Sequence, residues 1–195
     1  MSKTQHIDKM FEGLFKILSS QRFLLGEGTA GEIQFFVQPH SPKDQVLVNS
    51  HIIHLKKRLS SEGIEVLEIN LFNVCIDILK EQNILLHTLQ IEAEQEKADF
   101  QEALNGPLNV QNEIIPAIKK LMEIKNHKIV FLTGIGAVYP IIRSHTILNN
   151  LQSLIKKIPL VMFFPGGYDN LSLTLFGSLK DDNYYRAFNL NEYKI

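Results

Sequence analysis

Lys128-Ile129-Val130-Phe131-Leu132-Thr133 runs into Gly134-Ile135-Gly136, and Pro159-Leu160-Val161-Met162-Phe163-Phe164 runs into Pro165-Gly166-Gly167. Each is a short, almost unbroken apolar run that stops at glycine. A strand with one wet face alternates apolar and polar residues. A run that is apolar at every position suits a strand covered on both faces, as in a parallel sheet flanked by helices. The glycines then mark the carboxyl ends of the strands, the edge where such sheets build their sites.

Working outward, residues from about Ile7 to Ser19 place Met10, Phe11, Leu14, Phe15 and Leu18 at helical spacing, which predicts an opening amphipathic helix. After a glycine-broken stretch, Ile33-Gln34-Phe35-Phe36-Val37 reads as a strand. Ser41-Pro42-Lys43-Asp44 predicts a helix start, with Ser41 as N-cap, Pro42 at the first helical position and Asp44 closing a capping box. Val48, Ile52, Leu55 and Leu59 form that helix's buried stripe, Gly63 ends it, and Ile64 to Ile69 reads as a second strand. This strand, helix, strand unit predicts parallel strands joined by a right-handed crossover.

The middle reads as helices over Leu71 to Lys80 and Ile84 to Leu104, the second closed by Gly106-Pro107, with a third marked by Ile114, Ile115, Ile118, Leu121 and Met122. Ile147, Leu148, Leu151, Leu154 and Ile155 mark a helix between the two apolar strands. Ser172 to Phe176 and Tyr184 to Phe188 are short and alternating, which suggests one or two edge strands. No repeat, low-complexity tract or linker interrupts the chain. The expectation is a single three-layer α/β domain over residues 1–195, with a mostly parallel central sheet, a degenerate nucleotide-binding-like layout and edge strands at the C-terminus.

Composition narrows the class. With 195 residues, 45% hydrophobic and 21% charged, the chain can bury a sizeable core without staples. One cysteine, Cys75, excludes an internal disulfide and reads as a small core residue. The polar start Met1-Ser2-Lys3-Thr4-Gln5-His6 and the absence of a run of ~18 apolar residues predict a cytoplasmic protein with no membrane partner. A formal charge of −1 supplies no field that would draw the chain onto DNA, and Lys56-Lys57-Arg58 is the longest basic cluster, so direct nucleic-acid binding is not expected.

Gly26-Glu27-Gly28-Thr29-Ala30-Gly31 matches a dinucleotide fingerprint by spacing but follows a helix and opens a strand, the reverse of what phosphate binding needs, so it reads as a connecting loop. Thr133-Gly134-Ile135-Gly136-Ala137-Val138-Tyr139-Pro140 does follow a strand, yet Tyr139 stands where a third glycine belongs and no lysine follows at phosphate-loop spacing. Arg143 and His145 lie just beyond and could pair with an anion or move a proton. His51 and His54 share a helix face but make only half a metal site. Glu92, Glu94, Glu96, Asp99 and Glu102 crowd one helix against Lys97 alone, the pattern of a solvated face or a dock for a basic partner. Lys180-Asp181-Asp182-Asn183-Tyr184-Tyr185-Arg186, near Tyr168-Asp169, has the aspartates of a possible Mg²⁺ site, but its tyrosines and arginine better suit an interaction hot spot.

Gly31-Glu32-Ile33-Gln34-Phe35-Phe36, the segment Phe131 to His145 with Leu148-Asn149-Asn150-Leu151, Phe163-Phe164-Pro165-Gly166-Gly167-Tyr168, and Leu175 to Phe188 together resemble the BrxB family, a small core component of the BREX bacteriophage-exclusion systems. The resemblance spans nearly the whole chain, with its specific motifs in residues 128–190. One departure is the second glycine of Gly166-Gly167, where many members carry another residue. The resemblance implies a part in antiviral defence beside a DNA methyltransferase, an alkaline-phosphatase-like protein and a large ATPase. It implies no catalytic residue. The expected role is a non-catalytic assembly subunit, without metal or cofactor, that binds other BREX proteins, above all the phosphatase-like one. The expected surface comprises Gly134, Gly136, Tyr139, Arg143, His145, Tyr168, Asp169, Asp181, Asp182, Tyr184, Tyr185 and Arg186. The alternative is a degenerate nucleotide-binding or sensing domain using the Gly134-Ile135-Gly136 turn.

Neither glycine loop joins a lysine to a helix N-terminus as phosphoryl transfer requires. Purified protein is therefore expected to release no phosphate from ATP above a buffer control, and turnover abolished by Gly134 or Gly136 substitution would overturn that expectation.

Overall fold

The two apolar runs are adjacent strands, β3 (Ile129–Thr133) and β4 (Leu160–Tyr168), in a computed structural model that describes residues 3–27, 34–123, 126–151, 158–180 and 187–194. The chain is an α/β protein whose central sheet is mostly parallel. Its strand order is β2 (Val66–Asn70), β3, β4, β1 (Phe35–His40), β7 (Phe188–Asn189). β4 pairs in parallel with β1 from Phe35 opposite Leu160 to His40 opposite Pro165, and with β3 from Val130 opposite Leu160 to Leu132 opposite Met162. All of β3 and residues 160–165 of β4 are buried, as the continuous apolar pattern requires.

The chain's contacts group into two compact units. The first comprises Met1–Glu68, Asn126–Thr133 and Ile155–Ile195. In it α1 (Lys3–Leu18), the short α2 (Gln21–Leu24) and α3 (Gln45–Ser61) bury their apolar stripes in one cluster with Phe36, Ile129, Phe131, Val161, Phe163 and Leu190. Phe163 lies between Phe131, edge-on at 5.1 Å, and Phe11, stacked at 6.2 Å, so aromatic packing ties both strands to α1. The second unit comprises Ile69–Lys125 and Gly134–Leu154. It holds α4 (Leu71–Glu81), α5 (Leu85–Glu94), α6 (Lys97–Leu104), a π-helical turn leading into α7 (Ile115–Glu123), and α8 (Ser144–Leu151). Leu154 and Ile155, placed in the last of these helices by their spacing, fall outside the described residues.

β1 and β2 share one sheet, with β3 and β4 between them, and four local expectations need correction. The central positions beside one another go to β3 and β4, apolar along their paired length, and β2, with Glu68 at its centre, takes the edge. β1 continues past Val37 through Pro39. Its pairing with β7 ends at Val37, so the proline meets a hydrogen-bonding neighbour on one side only. β4 does not stop at Pro165 but continues to Tyr168, pairing antiparallel with β5 (Leu173–Leu175), which pairs in turn with β6 (Leu179–Lys180). The capping box at Ser41 is not formed: Pro42–Asp44 is a 3₁₀ turn, and the Ser41 side chain makes no cap hydrogen bond. Finally, the predicted helix from Ile84 to Leu104 is broken at Gln95 and Glu96, whose backbones are extended (ψ 155° and 148°). A continuous helix would stack Glu92 on Glu96, a repulsive pair, and no buried stripe compensates, because α5 buries only Thr88 and α6 only Leu104.

At the β4–β5 pairing a Cβ on Gly166 would collide with the backbone carbonyl of Thr174, whereas one on Gly167 would meet open space. Gly166→Ala is therefore expected to cost ~1–3 kcal/mol and Gly167→Ala almost nothing. Thermal melting of the two variants side by side checks this; equal melting temperatures would show that the pairing yields freely.

Candidate functional site

The turn after β3 is shaped by one close approach. Gly134 has φ +78° and ψ 10°, a left-handed conformation that costs a side-chain-bearing residue energy, and it starts the 3₁₀ turn Ile135–Ala137. A Cβ there would come within 2.6 Å of Asn70 Oδ1 and 3.2 Å of the Leu71 amide nitrogen. The same Asn70 oxygen accepts hydrogen bonds from the Phe72 and Asn73 amides at 3.0 and 3.2 Å, capping α4. The glycine is thus needed so that the turn can lie against the capped end of α4. Ile135, Val138 and Ile142 anchor the turn in the core, and the Tyr139-Pro140 peptide is cis. Gly136 lies inside the 3₁₀ turn, half-buried like Tyr139 and His145, while Arg143 is exposed.

Next to this turn, unit 2 holds a groove of about 770 Å³. Cys75, Leu79, Leu104 and Leu108 line it together with Phe72, Leu89, Val138 and Tyr139. Burial pushes the Cys75 thiol up to about 11, so it stays protonated at neutral pH and acts as one more apolar wall group. Of the surface residues expected from the sequence, Tyr139 lines this groove, and so do Glu92 and Lys97 of the acidic run. Its apolar wall was missed because Leu85 and Leu89 look, in sequence, like the inner face of an ordinary helix.

Unit 1 carries Tyr168 and Asp169, and both serve the local framework. Tyr168 is buried and its hydroxyl donates to the Ala187 carbonyl at 2.9 Å. Asp169 Oδ1 accepts from the Leu171 and Ser172 amides at 3.0 and 2.6 Å, an Asx turn whose amide bonds hold the carboxyl below the usual carboxylate range. Asp181, Asp182, Tyr184, Tyr185 and Arg186 lie outside the described residues, as does the loop from Gly28 to Glu32. A second cavity of unit 1, about 650 Å³, opens at the carboxyl end of β1 beside Gln38 and His40, which the sequence reading did not single out. There Gln38 Nε2 donates to Asn191 Oδ1 at 3.0 Å, His40 Nε2 lies 3.0 Å from Gln45 Oε1, and burial lowers the His40 pKa. His51 has both ring nitrogens engaged, at 2.8 Å from the Leu47 carbonyl and 2.8 Å from Asp8. Among the described residues no group of three or more His, Cys, Asp or Glu is placed to hold a metal ion.

The sequence profile described as BREX protein BrxB matches residues 67–190, which takes in the Gly134 turn, the groove and the β4–β5 pairing. The chain belongs to the BrxB family. It is 37% identical over 188 residues to the BREX protein BrxB of Bacillus cereus (strain H3081.97), covering 95% of this chain and 98% of that one. It is 31% identical over 173 residues to the BREX protein BrxB of Escherichia coli O9:H4 (strain HS), covering 89% and 86%. No solved structure matches it significantly. The BrxB family is a component of BREX defence, and no helix among the described residues is long and apolar enough to cross a membrane.

Gly134→Ala is expected to lose ~2–3 kcal/mol, the left-handed backbone and the Asn70 contact adding. Combining it with Asn70→Gly removes the steric part and should make the double variant less costly than the sum of the singles. Strict additivity in melting experiments would show that the close approach carries no strain.

Proposed function

We propose that this protein is a non-catalytic assembly subunit of a BREX system, binding another BREX protein, the alkaline-phosphatase-like one, through the β5–β6 hairpin and its loops. Family membership supports the setting. The observation that carries the surface is the hairpin's composition: Leu171, Phe176 and Leu179 are exposed large hydrophobics within nine residues of one another. Exposed apolar groups clustered in this way mark contact sites, whereas scattered ones mean little. β6 pairs with β5 alone among the described strands, so its outer edge can also accept a strand from a partner. The hairpin grows out of β4, and its turn is set by Gly177 (φ +74°) after Phe176 (φ +55°), so the apolar groups are displayed on a fixed frame.

A nucleotide reading of the Gly134 turn gains no support from its geometry. The space that a glycine leaves for a phosphate is taken up here by the Asn70 carboxamide.

Leu171→Asp, Leu179→Asp and Phe176→Asn, the last chosen because asparagine tolerates the left-handed region, should each leave the melting free energy within ~0.5 kcal/mol of wild type. Phage protection and co-purification of the phosphatase-like protein from cells carrying the complete BREX gene set should both fall. Retention of both in all three variants would remove the hairpin from the interface.

A further inference from the structure

A helix on the surface of a folded protein normally turns its leucines inward. α5 does not: only Thr88 is buried, and Leu86 and Leu89 stand 78% and 51% exposed. Leu89 lines the groove, as does Phe72 on α4, which is 47% exposed. The lining comes wholly from helices and connecting turns of unit 2, so the groove offers side-chain pockets and no free strand edge. Such a surface receives a helix, whose apolar residues at i, i+3, i+4 and i+7 fill it in a row.

The charge carried by α5 and α6 is mostly negative. Glu92, Glu94, Glu96, Asp99 and Glu102 stand on or between α5 and α6, all exposed, against Lys97 alone; Glu92 and Lys97 line the groove itself, and the other four carboxylates flank it in sequence. The ion pairs formed among the described residues (His51–Asp8, Lys56–Glu68, Arg58–Glu12 and Lys80–Asp77) use none of these five carboxylates. An occupant that buries its leucines here brings its polar flanks beside those groups, and like charges would be repelled.

We propose that the groove between α4, α5, α6 and the Val138–Ile141 turn binds a basic amphipathic helix of a partner protein, taking its apolar stripe against Phe72 and Leu89 and its Lys or Arg side chains against the carboxylates of α5 and α6. The β5–β6 hairpin is a different surface, so this inference stands or falls apart from the reading above.

The test uses the full chain and a fluorescent amphipathic Leu/Lys peptide of about 18 residues, five helical turns, with a Leu/Glu peptide and a scrambled Leu/Lys peptide as comparisons. Anisotropy titration should show binding of the Leu/Lys helix only. Affinity should fall by about tenfold or more in Leu89→Asp and Phe72→Asp, and by several-fold in Glu92→Lys with Glu96→Lys, the latter effect shrinking as salt is raised. Glu62→Lys, on the exposed end of α3, should bind as wild type. Melting temperatures accompany every variant, and if Leu89→Asp or Phe72→Asp unfolds, the charge reversals decide. Unchanged affinity in the folded groove variants, an equal loss in Glu62→Lys, or equal binding of the Leu/Glu or scrambled peptide would overturn the proposal. So would concentration-dependent self-association abolished by Leu89→Asp, which assigns the groove to a second copy of the chain.

Discussion

β4 forms hydrogen bonds on both sides over its first half, to β1 and to β3, and residues 160–165 are buried. A backbone placed there must find every partner within the protein, and its side chains must be apolar on both faces. That requirement orders the rest. It assigns the apolar β3 to one flank and β1 to the other, leaves the edges to β2 and β7, and sets Phe163 between Phe11 and Phe131. It also explains where proline is tolerated. Pro165 follows the last β3 pairing at Met162, and Pro39 follows the last β7 pairing at Val37, so each proline sits where one side of its strand has already been released.

The two units spend their hydrophobic residues differently. Unit 1 concentrates aromatic and aliphatic groups in one buried cluster, and at its surface Arg58 lies 4.0 Å over the Phe15 ring while pairing with Glu12. The Arg58 hydrogen bond holds the Glu12 carboxyl below its ordinary value, but the pair is exposed and orients α1 against α3 more than it stabilises them. In unit 2, α4 buries Leu71, Val74, Cys75, Ile78 and Leu79, whereas α5 and α6 together bury two residues. Helices with so few buried groups open locally at low free energy, which suits a segment that adapts to a bound partner.

What was legible in the sequence follows from which forces are local. The strands β3 and β4, the stripe Val48-Ile52-Leu55-Leu59 and the glycine turn that follows β3 each declare themselves within a few residues, and each is present. Strand order is decided by competition between segments far apart in sequence, so the pairing of β1 with β4 rather than with β2 carried no local mark. The extension of β4 through Gly166-Gly167 was hidden for a related reason, because a glycine that ends a strand and a glycine that admits a neighbouring carbonyl look alike until the neighbour is known. At the candidate site the turn was found by its glycines. The groove was not, because a leucine facing a partner and a leucine facing the core have the same spacing along a helix.

The parallel partners β1 and β4 also set an order of events during synthesis. Phe35 pairs with Leu160 and Phe36 with Phe188, and the compact unit containing them draws on three separated stretches of chain. Translation proceeds from the N-terminus at about 5–20 residues per second, and non-local pairing waits for its partner strand. For several seconds on that scale, α1 and β1 stand outside the ribosome with Phe11, Leu14, Phe35 and Phe36 lacking their final neighbours. The segment Ile69–Lys125, whose helices contact one another locally, has no such wait. The nascent chain therefore presents the Phe35-Phe36 strand longest, and a chaperone that protects it acts on the first forty residues.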